Sequence, residues 1–110
     1  MRVNNKLIAE FMGNIPIFEN EYQMVTHNNM CYGIDELKYD TDWNWLMEVV
    51  EKIESFEDEN KCAKFNVIIE QSFVEIIDCN TSNEIVSIDA NTKIEAIYLA
   101  IVEFIKLNTK

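Results

Sequence analysis

TDWNWLMEVVEKIESF, residues 41–56, carries the cleanest helical rhythm in the chain and both of its tryptophans. Trp43, Leu46, Met47, Val50 and Ile53 recur at the i, i+3, i+4, i+7 spacing that gathers side chains on one face of a helix. Trp45, Val49 and Phe56 widen that face on one flank, and Asn44, Glu48, Glu51, Ser55 and Asp58 form the polar stripe opposite. Asp40 or Thr41 is placed to cap the first amides with a side-chain oxygen. Asp42 then suits the positive end of the helix dipole. No glycine stops the segment, so the reading is a helix that frays into Glu57-Asp58-Glu59-Asn60. A tryptophan stripe at this spacing predicts core packing first, and an aromatic wall of a cleft second.

Working outward, 110 residues suit one domain, 1–110, able to bury about 65% of its unfolded surface. With 48% hydrophobic residues the chain is expected to fold. There is no run of roughly 18 apolar residues to span a bilayer. The stretch MRVNNKLIAE lacks the apolar core of a signal peptide. The expectation is a cytoplasmic protein without a membrane association.

The net charge of −11 is lopsided. Residues 10–60 hold 13 acids against two lysines, while the remainder holds seven acids against seven bases. Such a field repels nucleic-acid backbones and attracts basic partners, so direct nucleic-acid binding is not expected. Acidity on a small domain also serves solubility alone.

Cys31, Cys62 and Cys79 are an odd, widely spaced set, unlike a secreted disulfide framework. Together with His27 they lack paired ligand spacing, so the reading is buried free thiols rather than a metal site. No cofactor is implied.

Before the tryptophan helix, Asn4 or Asn5 is placed to cap a short first helix with Leu7, Ile8 and Phe11 on its apolar side. Gly13 is placed to end that helix in a left-handed conformation. Residues 15–39 are the hardest to read. Ile15–Phe18 and Tyr22–Val25 suggest a hairpin, His27–Met30 a turn, and Tyr32–Leu37 a further extended piece. After the helix, Phe65–Ile69, Phe73–Ile77 and Glu84–Ile88 alternate as strands separated by Gln71-Ser72 and Asn80–Asn83. Short connections favour an antiparallel meander. Both faces of Phe73–Ile77 are apolar, which suggests a central strand covered on both sides. Thr92 and Glu95 form a capping box. Ile94–Leu107 is apolar almost all round apart from Glu95, Glu103 and Lys106, the signature of a helix packed on the sheet and against another helix. The sum is an α+β fold, an antiparallel sheet of three to five strands covered by about three helices in an α/β/α sandwich-like arrangement.

Three blocks also resemble a known family. Leu7-Ile8-Ala9-Glu10-Phe11-Met12-Gly13 resembles the opening of small phage and prophage proteins. Tyr39-Asp40-Thr41-Asp42-Trp43 with Val49-Val50-Glu51-Lys52-Ile53 resembles their second block, and Glu95-Ala96-Ile97-Tyr98-Leu99-Ala100 resembles their last helix. The family is the phage ABA-sandwich domain. The resemblance implies a layered fold and a phage setting, hence the host cytoplasm, and transfers no catalytic residue.

No phosphate-cradling glycine loop, nucleophile elbow or His-Glu-x-x-His is present, and a lone His27 has no partner that would make it a general base. Twenty acids guarantee neighbouring carboxylates by chance, so no glycosidase pair is assigned. The reading is non-enzymatic. In the first functional expectation, the acidic face formed by Glu48, Glu51, Glu54, Glu57, Asp58 and Glu59 occupies a basic surface of a host defence protein and imitates nucleic acid. Carboxylates three or four positions apart on a helix lie about 5–6 Å from one another, near phosphate spacing. The alternative is a sponge for a nucleotide immune signal, with Tyr22, Tyr32 and Trp45 stacking on its base. The second alternative is an accessory phage protein that self-associates through the apolar final helix.

Overall fold

In the computed structural model the element order is α1 (Arg2–Phe11), β1 (Pro16–Glu19), β2 (Tyr22–His27), β3 (Met30–Gly33), α2 (Trp43–Glu54), β4 (Phe65–Glu70), β5 (Phe73–Asp78), β6 (Asn83–Asp89) and α3 (Lys93–Asn108). The structure describes residues 2–13, 16–19, 22–27, 30–33 and 37–108, with backbone alone for 2–3, 16–19, 22–27 and 30–33.

The strands form two antiparallel meanders, β1-β2-β3 and β4-β5-β6. In the second, Val67 faces Ile76 and Ile76 faces Val86, while Ile69 faces Val74 and Val74 faces Ile88. Cross-strand partners share a face, so these residues make one apolar surface. A register shift between Ile76 and Ile77 pairs Ile77 with Glu84 and leaves Ile85 as the extra residue of a bulge. The α+β class and a three-stranded antiparallel sheet with three helices are as the sequence predicts.

The centre of the molecule is α3, not the tryptophan helix. Ala96, Ile97, Tyr98, Ala100, Ile101, Val102, Phe104 and Ile105 are buried along it. It lies across β4, β5 and β6 on one side and meets α1 and α2 on the other. A helix with two buried faces must be apolar nearly all round, which is why its polar stripe is so narrow. Thr92 Oγ1 accepts from the Glu95 N–H at 3.2 Å and starts it. The layers therefore run sheet, α3 with α2 beside it, then α1, and β2 of the first meander approaches α1. β5 is central, with Val74 and Ile76 buried under α3. Glu75 on its other face is partly exposed, where full cover was expected.

The tryptophan helix is capped differently from the reading above. Asp42 is the N-cap, accepting from the Asn44 and Trp45 N–H groups at 2.9 and 3.3 Å. Its buried residues are Trp45, Leu46, Val49, Val50 and Ile53, while Trp43 is 42% exposed. At 3.6 residues per turn both tryptophans lie about 80° from the middle of this stripe, on opposite sides. Position on the helix cannot choose between them. Tyr39 does, by packing its ring against Trp45 at 5.0 Å and 75°. The helix closes at Ser55, whose hydroxyl donates to the Lys52 carbonyl at 2.6 Å.

At the end of α1, Gly13 adopts φ +83° as expected, and its N–H donates to the Glu10 carbonyl at 3.0 Å. The Lys52 ammonium donates to the Phe11 carbonyl and sits 4.8 Å from the Phe11 ring centre. A cation there complements the negative end of the helix.

Asn5 is not a cap. It lies inside α1 at 4% exposure. Its amide donates to the Leu37 carbonyl at 3.2 Å and to Asp40 Oδ1 at 3.1 Å, and its Oδ1 accepts from the Tyr98 hydroxyl at 2.8 Å. Three distant parts of the chain meet at this one side chain. Burial, with the Asp40 carboxylate adding to it, pushes the Tyr98 hydroxyl up to about 12 from 10.0. Below the unfolded value both states keep the proton, and this contribution to stability is fully present. As pH rises through the folded value the unfolded chain ionises first and the contribution is lost. At about 1.4 kcal/mol per tenfold, roughly 3 kcal/mol should disappear between about pH 10 and about pH 12. Urea unfolding across that window should show the fall, and Tyr98→Phe should flatten it by the same amount.

Candidate functional site

The acidic run after α2 does not fray. Asp58 Oδ1 accepts from the Asn60 and Cys62 N–H groups at 2.8 and 3.0 Å, and the Asp58 N–H donates to the Cys62 carbonyl at 2.9 Å. Glu57 bridges Ala63, and the Lys64 N–H reaches the Phe56 carbonyl at 2.9 Å. Lys61 takes the positive φ of 62° that reverses the chain. The result is a closed loop, 56–64, pinned by the side chain of Asp58. Cys79 N–H donates to the Lys64 carbonyl at 2.9 Å and ties the loop to the end of the sheet.

Of the acids proposed from sequence, Glu51, Glu54, Glu57 and Glu59 are exposed, and Glu48 and Asp58 are half-buried. Asp58 is occupied in holding the loop. Glu54 turns toward the sheet, where its Oε2 accepts from the Val67 N–H of β4 at 3.3 Å. The six therefore do not form one helical row: Glu48 and Glu51 stay on the helix, Glu54 flanks β4, and Glu57, Asp58 and Glu59 belong to the loop.

Sequence reasoning missed the groove beside that loop. Phe11 of α1, Phe56 after α2, Phe65 of β4 and Phe104 of α3 close a ring of edge-to-face contacts. Centroid separations are 6.0 Å for Phe11–Phe56, 6.2 Å for Phe56–Phe65, 4.9 Å for Phe65–Phe104 and 6.2 Å for Phe11–Phe104. Phe65 and Phe104 are buried, and Phe11 and Phe56 are half-buried. A space of about 310 Å³ opens over them, rimmed by Glu57, Lys64 and Asn108. It continues past Lys64 and Asn108 toward Asp78, Ile85 and Leu107. On the other side, Glu57 and Lys64 also line a depression with Asp58, Glu59, Asn60 and Asn80. Lys64 Nζ lies over the Phe65 ring at 5.5 Å. The signal for this groove was four phenylalanines on four different elements, which no single periodicity collects.

Trp45, proposed to stack on a base, is a core ring at 9% exposure against Tyr39. Tyr22 faces Glu19 and Tyr32 faces Val25, so the register puts the two tyrosines at positions of opposite parity in the pleat. Their side chains, with those of His27 and Cys31, lie outside the described residues, as do residues 28–29 of the turn expected at His27–Met30. Cys62 and Cys79 are exposed free thiols, not buried ones, because both sit in connections at the end of the sheet. Among the described residues no group of three or more His, Cys, Asp or Glu is placed to hold a metal ion, and no helix is long and apolar enough to cross a membrane.

A second acidic patch lies on the open face of the sheet. Glu75 is held above the usual carboxylate range, first by desolvation and then by Glu84, which both repels it and shares a hydrogen bond, with Glu70 adding repulsion. No family model, curated protein or solved structure matches this chain.

Proposed function

We propose that this chain is a non-enzymatic binding protein whose acidic surface engages a basic, nucleic-acid-binding surface of a protein partner. The observation that carries the reading is the concentration of charge: a net −11 drawn from residues 10–60, with Glu51, Glu54, Glu57 and Glu59 exposed along one helix and the loop that follows it. The resemblance to phage ABA-sandwich proteins makes a host defence protein the partner class. Screening decides the salt dependence, since the Debye length falls from about 10 Å at 0.1 M salt to about 3 Å at 1 M. Exposed charges steer encounter more than they hold the complex.

The test immobilises the protein beside a variant with Glu51, Glu57 and Glu59 changed to lysine and challenges both with host lysate. Partners should be retained at low salt, released by high salt and displaced by double-stranded DNA, and the variant should bind them about tenfold more weakly. Equal retention by the variant would remove the acidic surface from the mechanism. Sequestration of a nucleotide is the competing reading. It would show as absorbance near 260 nm carried through purification and released on denaturation.

A further inference from the structure

We infer that the phenylalanine groove takes one large apolar side chain, aromatic or branched aliphatic, flanked by a basic residue on the protein partner. This rests on the acidic-surface reading and adds where on that surface a partner would be gripped. The floor is Phe65 and Phe104, the walls are the half-buried rings of Phe11 and Phe56, and Leu107, 43% exposed, extends the apolar track. At about 310 Å³ the space is at the low end of small-molecule sites, roughly 300–1,000 Å³, and suits a side chain better than a whole nucleotide. Buried aromatic anchors in such pockets dominate interfaces, while charges around them set orientation and encounter rate.

Charge complementarity selects the neighbour of that anchor. Glu57 belongs both to the groove and to the loop depression. Around the groove, its extension and the loop depression, Glu57, Asp58, Glu59 and Asp78 outnumber Lys52, Lys61 and Lys64. Lys64 is drawn over the Phe65 ring, which places its charge on the groove side and leaves the acids along the loop. A cationic residue next to the anchor meets the loop acids. An anionic one meets the field of the whole chain.

The experiment uses capped tripeptides Arg-Trp-Arg, Arg-Gly-Arg and Glu-Trp-Glu, with adenosine monophosphate as a fourth probe, titrated into the nitrogen-15-labelled protein. Arg-Trp-Arg should shift the amides of Phe56, Lys64 and Asn108. Arg-Gly-Arg should bind about tenfold more weakly, because the anchor supplies most of the affinity. Glu-Trp-Glu and the nucleotide should be weaker still. Leu107→Ser and Lys64→Glu change exposed residues and keep the fold; the first should weaken Arg-Trp-Arg and the second should strengthen it. If the two arginine peptides bind alike and move loop amides alone, the groove inference fails while the acidic reading stands. If Glu-Trp-Glu or the nucleotide binds as tightly as Arg-Trp-Arg, both fail. Groove amides unmoved by millimolar Arg-Trp-Arg would also overturn the inference.

Discussion

Asn5→Ala is expected to lower the unfolding free energy by about 3–5 kcal/mol, as measured by urea unfolding near neutral pH. Asn5 is 4% exposed and serves three partners on two other parts of the chain: the Tyr98 hydroxyl on α3, and the Leu37 carbonyl and the Asp40 carboxylate on the segment leading to α2. Alanine removes the amide from all three, and each buried group left without it costs about 1–3 kcal/mol. Against a total stability of about 5–15 kcal/mol for a small domain, that is a large share. Asn5→Asp separates the effects. It keeps the shape but replaces two donated hydrogens with a carboxylate facing Asp40. It should therefore be worse than alanine near neutral pH and recover as the pH falls and one carboxyl takes a proton. Tyr98→Phe removes one bond of the network and should cost about 1–2 kcal/mol. The double variant should cost less than the sum, because both changes break the same bond. Additive costs would mean that Asn5 and Tyr98 act independently.

This network shows where the sequence stops being readable. Asn5 reads as a helix cap because a short amide near a chain start is most often one. Its partners lie 32, 35 and 93 positions away, and only the packing of α1 on α3 brings them together. The same limit explains the tryptophans: equal angles from the middle of the stripe left Tyr39 to choose. What was legible was what depends on nearest neighbours. The strands expected at 65–69, 73–77 and 84–88 from side-chain pattern and turn residues form at 65–70, 73–78 and 83–89, and Gly13 and Thr92 ended and began helices as their chemistry dictates. The role of α3 was half legible. An all-apolar helix must be buried on more than one side, yet the cleaner amphipathic rhythm of residues 41–56 does not show that their helix lies beside α3 rather than at the centre. The acidic residues were visible as composition. Their division between helix, sheet edge and loop was not, because Asp58 and Glu54 are fixed by backbone amides of residues 60, 62 and 67.

Phe104→Ala is expected to cost about 3–5 kcal/mol, the usual range for deleting a buried aromatic side chain. Phe104 is 1% exposed and is the member of the four-ring cluster that belongs to the central helix. Its loss removes edge-to-face contacts to Phe65 and Phe11, each worth about 0.5–1.5 kcal/mol beyond burial. The cluster stands at one end of the α1–α3 contact and the Asn5–Tyr98 bond at the other. The paired positions, 5 with 98 and 11 with 104, are six residues apart on both helices, so the helices run in the same direction and each tie limits rotation about the other. Phe104→Leu keeps most of the volume and should cost less than about 2 kcal/mol. The alanine variant also deepens the groove, since Phe104 is part of its floor. The added apolar volume accepts a small aromatic molecule. Benzene or indole should therefore raise the midpoint of thermal unfolding of Phe104→Ala by more than any rise they produce in the unmodified protein. A variant as destabilised as expected but indifferent to both ligands would mean that the rings collapse into the space. The groove would then be held open by Phe104 itself rather than by the elements around it.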